Sequence, residues 1–225
     1  MSEKPTLSPP ARALSLGEFL LGAAIVVAHN VFHVVPNEVP ILFVLALVSI
    51  RLREGSWGAL GLGRPKSWGL TILIALAAAI AVIGFDVFLT DPLAHLLGLR
   101  EAKSAESALG LKRGDVASLA KALLIIWTFA AFGEEIVYRR YLIGRAADVG
   151  NGTAPAYWLA LLVVSVLFGI GHFYQGSAGV FKTAVDGFII GAAYLLARRN
   201  LWVAVLAHGF VDTIVFAAFA LGLAD

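Results

Sequence analysis

Residues 67–85, SWGLTILIALAAAIAVIGF, contain no charged side chain and decide the fold of the chain. An uninterrupted apolar run of about 20 residues is long enough to cross the hydrocarbon core of a bilayer as a helix. The composition agrees, since 60% of the 225 residues are hydrophobic and only 14% are charged. A soluble domain carries about 25% charged residues. The sequence therefore predicts an integral membrane protein.

Apolar stretches of similar character flank this segment on both sides. Together they predict an all-α, polytopic membrane helix bundle of about seven transmembrane helices, with six or eight left open by the short second stretch. The predicted spans are 16–36, 39–52, 67–90, 116–148, 155–173, 178–199 and 201–223. The polar, proline-rich residues 1–15 are predicted to form a disordered lead, and residues 16–225 a single integral-membrane domain.

The distribution of basic residues predicts the orientation of the bundle. If the amino terminus is cytoplasmic, most Lys and Arg residues of the loops fall on the cytoplasmic side, as the positive-inside rule requires. The net charge of +2 is small and forms no basic stripe, which argues against nucleic acid as a partner. The chain has no cysteine, and this excludes disulfides and a thiol nucleophile.

Several ionisable residues lie inside the predicted spans, where charge is costly and normally faces a protein interior or a wet cavity. They are Glu134, Glu135, Arg139, His172, His208 and Asp212. A rise of 1.5 Å per residue places Glu134 roughly 21 Å and His172 roughly 25 Å from the loop that joins their helices. The seventh span starts on the same side, so a carboxylate and two imidazoles can meet at one buried point.

Such a group predicts hydrolytic chemistry. A carboxylate paired with an imidazole can deprotonate water, and a second imidazole can donate to the oxyanion formed when water attacks an amide. Two other interpretations stay open. Glu134, His172 and His208 are also a plausible zinc triad, although no His-Glu-x-x-His motif is present. Glu135 and Arg139, four residues apart on one helix face, can form a purely structural ion pair.

Three motifs, each in its own predicted span, resemble those of the CPBP family, the CAAX proteases and bacteriocin-processing enzymes also called the Abi family. The resemblance covers residues 116–215. The motifs are Glu-Glu-x-x-x-Arg, Phe-x-x-x-His and His-x-x-x-Asn/Asp, matched here by Glu134, Glu135 and Arg139, then Phe168 and His172, then His208 and Asp212.

The resemblance implies an intramembrane glutamic endopeptidase, similar to the type II CAAX prenyl endopeptidase, that needs no metal or other cofactor. It implies that Glu134 and His172 activate the attacking water and that His208 with Asp212 stabilises the oxyanion. By the same resemblance, supporting roles fall to Glu135, Arg139 and Phe168. The best-known proteases of the family have Asn where this chain has Asp212, and an ionised Asp cannot donate a hydrogen bond.

The expected substrate is a membrane-associated peptide or protein, either prenylated or a leader peptide. The expected location is a bacterial or archaeal cytoplasmic membrane, with the lipid bilayer itself as a partner. Two non-proteolytic alternatives remain: a membrane scaffold or chaperone of the same family, and a small transporter with Glu134 and Lys182 as proton-relay groups. Lys182 and Asp186 are expected to neutralise each other in the sixth span.

Overall fold

The computed structural model describes residues 6–223, and within that range the chain is helical and has no strand. We number the helices in chain order and include short 3₁₀ and π turns in the helix that they continue. The helices are α1 (Pro9–Asn30), α2 (Glu38–Glu54), α3 (Trp68–Leu96), α4 (Ala105–Leu109), α5 (Val116–Val149), α6 (Ala154–Gly171), α7 (Gly176–Leu196) and α8 (Leu201–Ala220).

Six of the described helices are long and apolar enough to cross a membrane: α1, α3, α5, α6, α7 and α8. The predicted all-α polytopic bundle is therefore confirmed, with a number of spans at the lower end of the predicted six to eight. Helix α2 has 17 residues and is the short second stretch of the prediction. Large apolar side chains such as Leu20, Ile80 and Leu159 point outward from the bundle, as lipid-facing residues do.

The start of α1 differs from the prediction. The helix begins at Pro9, so the disorder predicted for residues 1–15 is wrong from Pro9 onward, while residues 1–5 lie outside the described part of the chain. Proline suits a first helical turn because its missing N–H would have no partner there. Polar contacts then hold this turn, since Arg12 Nε donates to the Val149 carbonyl at 2.8 Å and Ser15 Oγ donates to Asp148 at 2.9 Å.

Polar side chains define where the following helices begin. Asn37, Ser67 and Thr153 each accept a hydrogen bond from a backbone N–H in the first turn of α2, α3 and α6. Asp115 caps α5 by accepting from the N–H groups of two residues, and Asn200 caps α8. Such caps satisfy backbone donors that have no partner inside the helix. They also set the limits of the spans that carry the polar residues.

Two of the long helices contain π-helical stretches. In α3 the π turn Asp86–Thr90 ends two residues before Pro92, whose ring would clash with the carbonyl four residues earlier in a regular α-helix. In α5 the π stretch is Ile126–Leu142, which contains no proline and holds all three residues of the first motif. Stretches of π-helix inside α-helices are frequent at functional sites.

Helix α5 lies at the centre of the bundle and packs against α1, α2, α6 and α8, while α6 and α7 form a close antiparallel pair. We call the end where α1, α3, α6 and α8 begin the amino-terminal end, and the other end the opposite end. Gly169 permits the α6–α7 approach, because a Cβ at this position would lie 2.4 Å from the Val180 carbonyl oxygen. This packing brings the last turn of α6 against the middle of α5 and α8.

Candidate active site

A cavity of about 440 Å³ lies among α2, α5, α6, α7 and α8. It extends from the middle of the bundle toward the opposite end, where Asn37, Val39 and Pro40 at the start of α2 form part of its wall. Five residues that the motifs single out line this one cavity: Glu134, Phe168, His172, His208 and Asp212. The predicted meeting of one carboxylate and two imidazoles from three helices is therefore found in the structure.

Glu134 is the residue of this group with unsatisfied hydrogen-bonding capacity. Its Oε2 atom is buried and has no hydrogen-bond partner within residues 6–223. A buried carboxylate oxygen without a partner destabilises the fold, because it has lost its hydration without gaining a protein donor. The packing of α5 therefore does not account for a carboxylate at this position.

Glu135, the neighbouring carboxylate, is fully buried and is held on both sides. Its Oε1 lies 2.8 Å from His208 Nδ1, and its Oε2 lies 3.0 Å from Arg139 Nε. The contact with Arg139 is an ion pair without the alignment of a hydrogen bond. The predicted pair of Glu135 and Arg139 is therefore present, and it extends across to α8.

Arg139 is 2% exposed and reaches the second motif. Its guanidinium carbon lies 4.5 Å from the centre of the Phe168 ring, and Nη2 donates to the Gly187 carbonyl at 3.4 Å. Phe168 in turn contacts both imidazoles, with ring centres 4.8 Å from His172 and 6.1 Å from His208. Phe168 thus connects the supporting ion pair to the two histidines.

His172 directly follows the last residue of α6, and the backbone around it fixes its tautomer. Its Nδ1 lies 3.0 Å from the Phe168 carbonyl oxygen. A carbonyl oxygen only accepts, so Nδ1 must carry the hydrogen, and Nε2 of the neutral ring is then free to accept a proton. The hydrogen bond joins residues four positions apart, and the ring of Phe168 contacts the same imidazole, so the spacing of the second motif places both contacts on His172.

His208 lies between two carboxylates and is 7% exposed. Its Nδ1 faces Glu135, and its Nε2 lies 3.5 Å from Asp212 Oδ2, one helical turn further along α8. A ring with a carboxylate on each side can carry a proton on both nitrogens, in which form both are donors. Asp212 therefore contacts the imidazole and lines the cavity as well.

The sequence did not predict several further features of the cavity wall. Asp186 lines it and has a buried oxygen with no hydrogen-bond partner in the described range. The prediction that Lys182 pairs mainly with Asp186 is wrong. The ion-pair partners of Lys182 are Asp86 and Asp91, whose carboxylates lie 3.4 Å and 3.3 Å from its Nζ. Both partners lie on α3, a helix that hydropathy alone does not place beside α7.

The short helix α4 covers part of the cavity at the opposite end, where Ala105, Ala108 and Leu109 line it. Backbone hydrogen bonds hold the preceding segment to the turn between α6 and α7. Ala102 N donates to the Gln175 carbonyl, and Ala178 N donates to the Arg100 carbonyl, both at 3.0 Å. The polar stretch between the third and fourth spans therefore forms part of the site wall.

Among residues 6–223, no three His, Asp or Glu side chains come together in an arrangement that could hold a metal ion. His208, one of the three residues of the alternative zinc triad, has a carboxylate beside each ring nitrogen.

The fold and the site thus define a polytopic membrane protein with a buried cavity that contains acid and imidazole groups. Residues 116–214 match the model of a family described as type II CAAX prenyl endopeptidase Rce1-like. The resemblance drawn from the three motifs is confirmed over these residues, which make up a little under half of the chain. No curated protein and no solved structure shows significant similarity to the chain.

Proposed function

We propose that the protein is an intramembrane glutamic endopeptidase in which Glu134 activates the attacking water. The observation that carries the proposal is the buried, unpartnered Oε2 of Glu134 in a cavity shared with both motif histidines. An unpaired carboxylate at this depth is unfavourable for folding, so its retention is best explained by chemistry. Glu135 has partners on both sides and is assigned a supporting role.

The proposed reaction is direct hydrolysis. Glu134, assisted by the unprotonated Nε2 of His172, removes a proton from water while the water oxygen bonds to the scissile carbonyl carbon. The oxygen of that carbonyl gains negative charge and accepts a hydrogen bond from His208. The C–N bond then breaks, and the proton held by the acid–imidazole pair passes to the leaving amine. The products are one new carboxyl terminus and one new amino terminus.

In this scheme Asp212 orients His208 and does not itself donate to the oxyanion. An ionised carboxylate has no proton to donate, whereas an imidazole flanked by Glu135 and Asp212 can carry protons on both nitrogens. The distance of 3.5 Å between His208 Nε2 and Asp212 supports this assignment. Phe168 and Arg139 hold the two histidines in place through ring and cation–π contacts.

We also propose that the reaction needs no metal. The support is that His208, with Glu135 beside one ring nitrogen and Asp212 beside the other, can carry a proton on both nitrogens, and a nitrogen that carries a proton can donate to an oxyanion but has no lone pair for a metal. A zinc ligand nitrogen must be free of protons and able to point at the metal. Cleavage in the presence of a strong chelator should therefore be unchanged, and complete inhibition that added zinc reverses would contradict this part.

The proposed orientation places the amino terminus in the cytoplasm of a bacterial or archaeal cell, following the positive-inside rule. The cavity then lies in the half of the bundle away from the cytoplasm, because α4 and the start of α2 form part of its wall. Among the expected substrates, this position favours a leader peptide or a membrane-protein segment over a prenylated cytoplasmic tail.

The absence of cysteine makes the orientation simple to measure. A single cysteine at Ser107, which is exposed in α4, should react with a membrane-impermeant maleimide added to intact cells. A single cysteine at Ser56, which is exposed at the amino-terminal end, should react only after the cells are broken. The reverse pattern of labelling would overturn the orientation and would favour the prenylated substrate.

Purified protein in liposomes, incubated with candidate membrane-anchored peptides, tests the catalytic assignment. Glu134→Ala and His172→Ala should each abolish the appearance of new termini in the mass spectrum. Lys121→Ala on the same helix α5 lies outside the cavity lining and serves as the matched control, with cleavage unchanged. Undiminished cleavage by both site variants would reject the proposal, and the scaffold alternative would gain if Glu134→Gln kept its cellular phenotype.

A further inference from the structure

A second cavity, of about 400 Å³, lies at the amino-terminal end of the bundle, where α2 and α7 end and α6 begins. Its ionisable lining is dominated by arginine: Arg53, Arg140, Arg145, Arg198 and Arg199 stand against Glu54 and Asp148. Glu18, which pairs with Arg53 and Arg145, adds a third negative charge beside the wall, so five positive charges against three negative charges leave a local surplus of +2. Neither the three motifs nor the proposed hydrolysis uses this cavity.

Three of the arginines are held by carboxylates and form the cavity wall. Arg145 lies 2.9 Å from Glu18 and 3.3 Å from Asp148, Arg53 lies 3.0 Å from Glu18, and Arg140 pairs with Glu54. Their charges are therefore partly compensated inside the protein. The surplus of positive charge belongs to Arg198 and Arg199, which have no carboxylate partner within the described residues.

Arg198 and Arg199 form the turn between α7 and α8. Arg199 donates to the Tyr157 hydroxyl and lies over the Tyr157 ring, with its guanidinium carbon 4.7 Å from the ring centre. The side chain of Arg198 makes no hydrogen bond or ion pair in the described range, and it lines the cavity. One guanidinium is thus positioned by an aromatic ring, and the other is available for a ligand.

The backbone of this turn is strained in a way that the side chains do not explain. Arg198 has φ of 58° and Arg199 has φ of 63°, both in the left-handed region. Glycine adopts that region freely, whereas two consecutive arginines there are unfavourable. Left-handed non-glycine residues are concentrated at ligand sites, where binding offsets the strain.

We propose that this cavity binds a phosphate group, with Arg198 and Arg199 as its main ligands. Guanidinium groups match phosphate oxygens in both charge and geometry, and they bind them with paired hydrogen bonds. The Tyr194 and Tyr157 side chains also line the cavity, so hydroxyl groups lie beside the guanidinium groups.

The position of the cavity in the bundle favours a phospholipid headgroup as the source of the phosphate. Trp57, Trp68 and Trp158 are all exposed at this same end, as expected of an aromatic belt at the membrane–water interface. Basic pockets between transmembrane helices at this depth bind anionic lipid headgroups. A free inorganic phosphate has the same chemistry, so the experiment must separate the two.

The test uses the full-length protein in nanodiscs that contain phosphatidylglycerol and phosphatidylcholine, released into the mass spectrometer to count retained lipids. The double variant Arg198→Gly/Arg199→Gly removes both guanidinium groups; it loses the Arg199 contacts with Tyr157 and relieves the strained turn, so the two effects on stability oppose each other and its stability should change little. Arg64→Gly is the matched control, because it removes an exposed charge at the same end outside the cavity. Each cavity arginine should contribute about fivefold to the retention of phosphatidylglycerol.

Loss of retained phosphatidylglycerol in the double variant, with retention in the wild-type and Arg64→Gly proteins, would support a lipid headgroup site. Thermal stabilisation of the detergent-solubilised wild-type protein by inorganic phosphate, absent in the double variant, would support the same site with a free ion as its occupant. Equal lipid retention in all three proteins, together with no phosphate effect, would overturn the proposal. Arg198→Lys keeps the charge and the backbone strain, and it should keep most of the retention.

Discussion

The buried bridge through Glu135 provides the sharpest test of how the site is held together. Glu135→Ala removes a carboxylate that is 0% exposed and leaves Arg139, which is 2% exposed, without an anionic partner. Removing one partner of a buried ion pair destabilises a protein by about 3–5 kcal/mol. The loss also breaks the hydrogen bond to His208, and such bonds average about 0.6 kcal/mol inside membranes.

Two contacts of Arg139 remain after the Glu135→Ala substitution, and they reduce the loss of stability that it causes. The guanidinium keeps its position over the Phe168 ring and its hydrogen bond to the Gly187 carbonyl. A desolvated cation–π contact is worth up to about 2 kcal/mol. We therefore expect Glu135→Ala to lower the free energy of unfolding by about 3 kcal/mol, at the lower end of the range for buried pairs.

The assay is equilibrium unfolding in mixed micelles with increasing dodecyl sulfate, followed by tryptophan fluorescence. Asp91→Asn is the matched control, since it removes one partner of the exposed pair with Lys182 and leaves Asp86 in place. Exposed pairs contribute about 0–1 kcal/mol. The double variant Glu135→Leu/Arg139→Met removes both buried charges and should be less unstable than Glu135→Ala. A Glu135→Ala protein as stable as Asp91→Asn would refute this account of the bridge.

Three further predictions concern the packing of α6 against α7, the role of Asp212 and the cap of α5. Gly169→Ala should destabilise the α6–α7 pair by about 1–3 kcal/mol through overpacking, whereas Gly84→Ala, with open space around its Cβ, should be neutral or stabilising in the same unfolding assay. Asp212→Asn should keep peptide cleavage within about tenfold of wild type, while Asp212→Ala should lose about a hundredfold in kcat, measured at saturating substrate. Asp115→Ala removes the cap of α5 and should lower stability by about 1 kcal/mol; no change would mean that the cap is dispensable.

The sequence predicted the spans and the convergence of the motif residues because both depend on local rules. Hydrophobic length marks a membrane helix, and a buried charge must find a partner or a cavity. Those rules apply within single segments, and Glu134, His172 and His208 each obey them. The predicted count of about seven spans exceeds the six long apolar helices of the described residues because it includes α2, whose 17 residues lie at the limit of the length criterion.

What the sequence could not predict depends on contacts between distant segments. The bridge from Glu135 to His208 joins residues 73 positions apart, and no spacing within one helix indicates it. The ion pairs of Lys182 with α3 and the position of α4 over the cavity also depend on contacts between segments that are far apart in the sequence. The helical start at Pro9 was missed because residues 9–15 read as polar and proline-rich, although proline is favoured in a first turn.

The central claim is that Glu134 activates water, and the most direct measurement compares the cleavage rate of Glu134→Gln with that of the wild type on one membrane-anchored peptide. Glutamine keeps the shape of the side chain but cannot accept the proton, so kcat should fall about a hundredfold or more with little change in KM. Because Oε2 of Glu134 has no hydrogen-bond partner in the described residues, the stability of the variant should not fall. A Glu134→Gln protein that folds and cleaves at the wild-type rate would contradict the account.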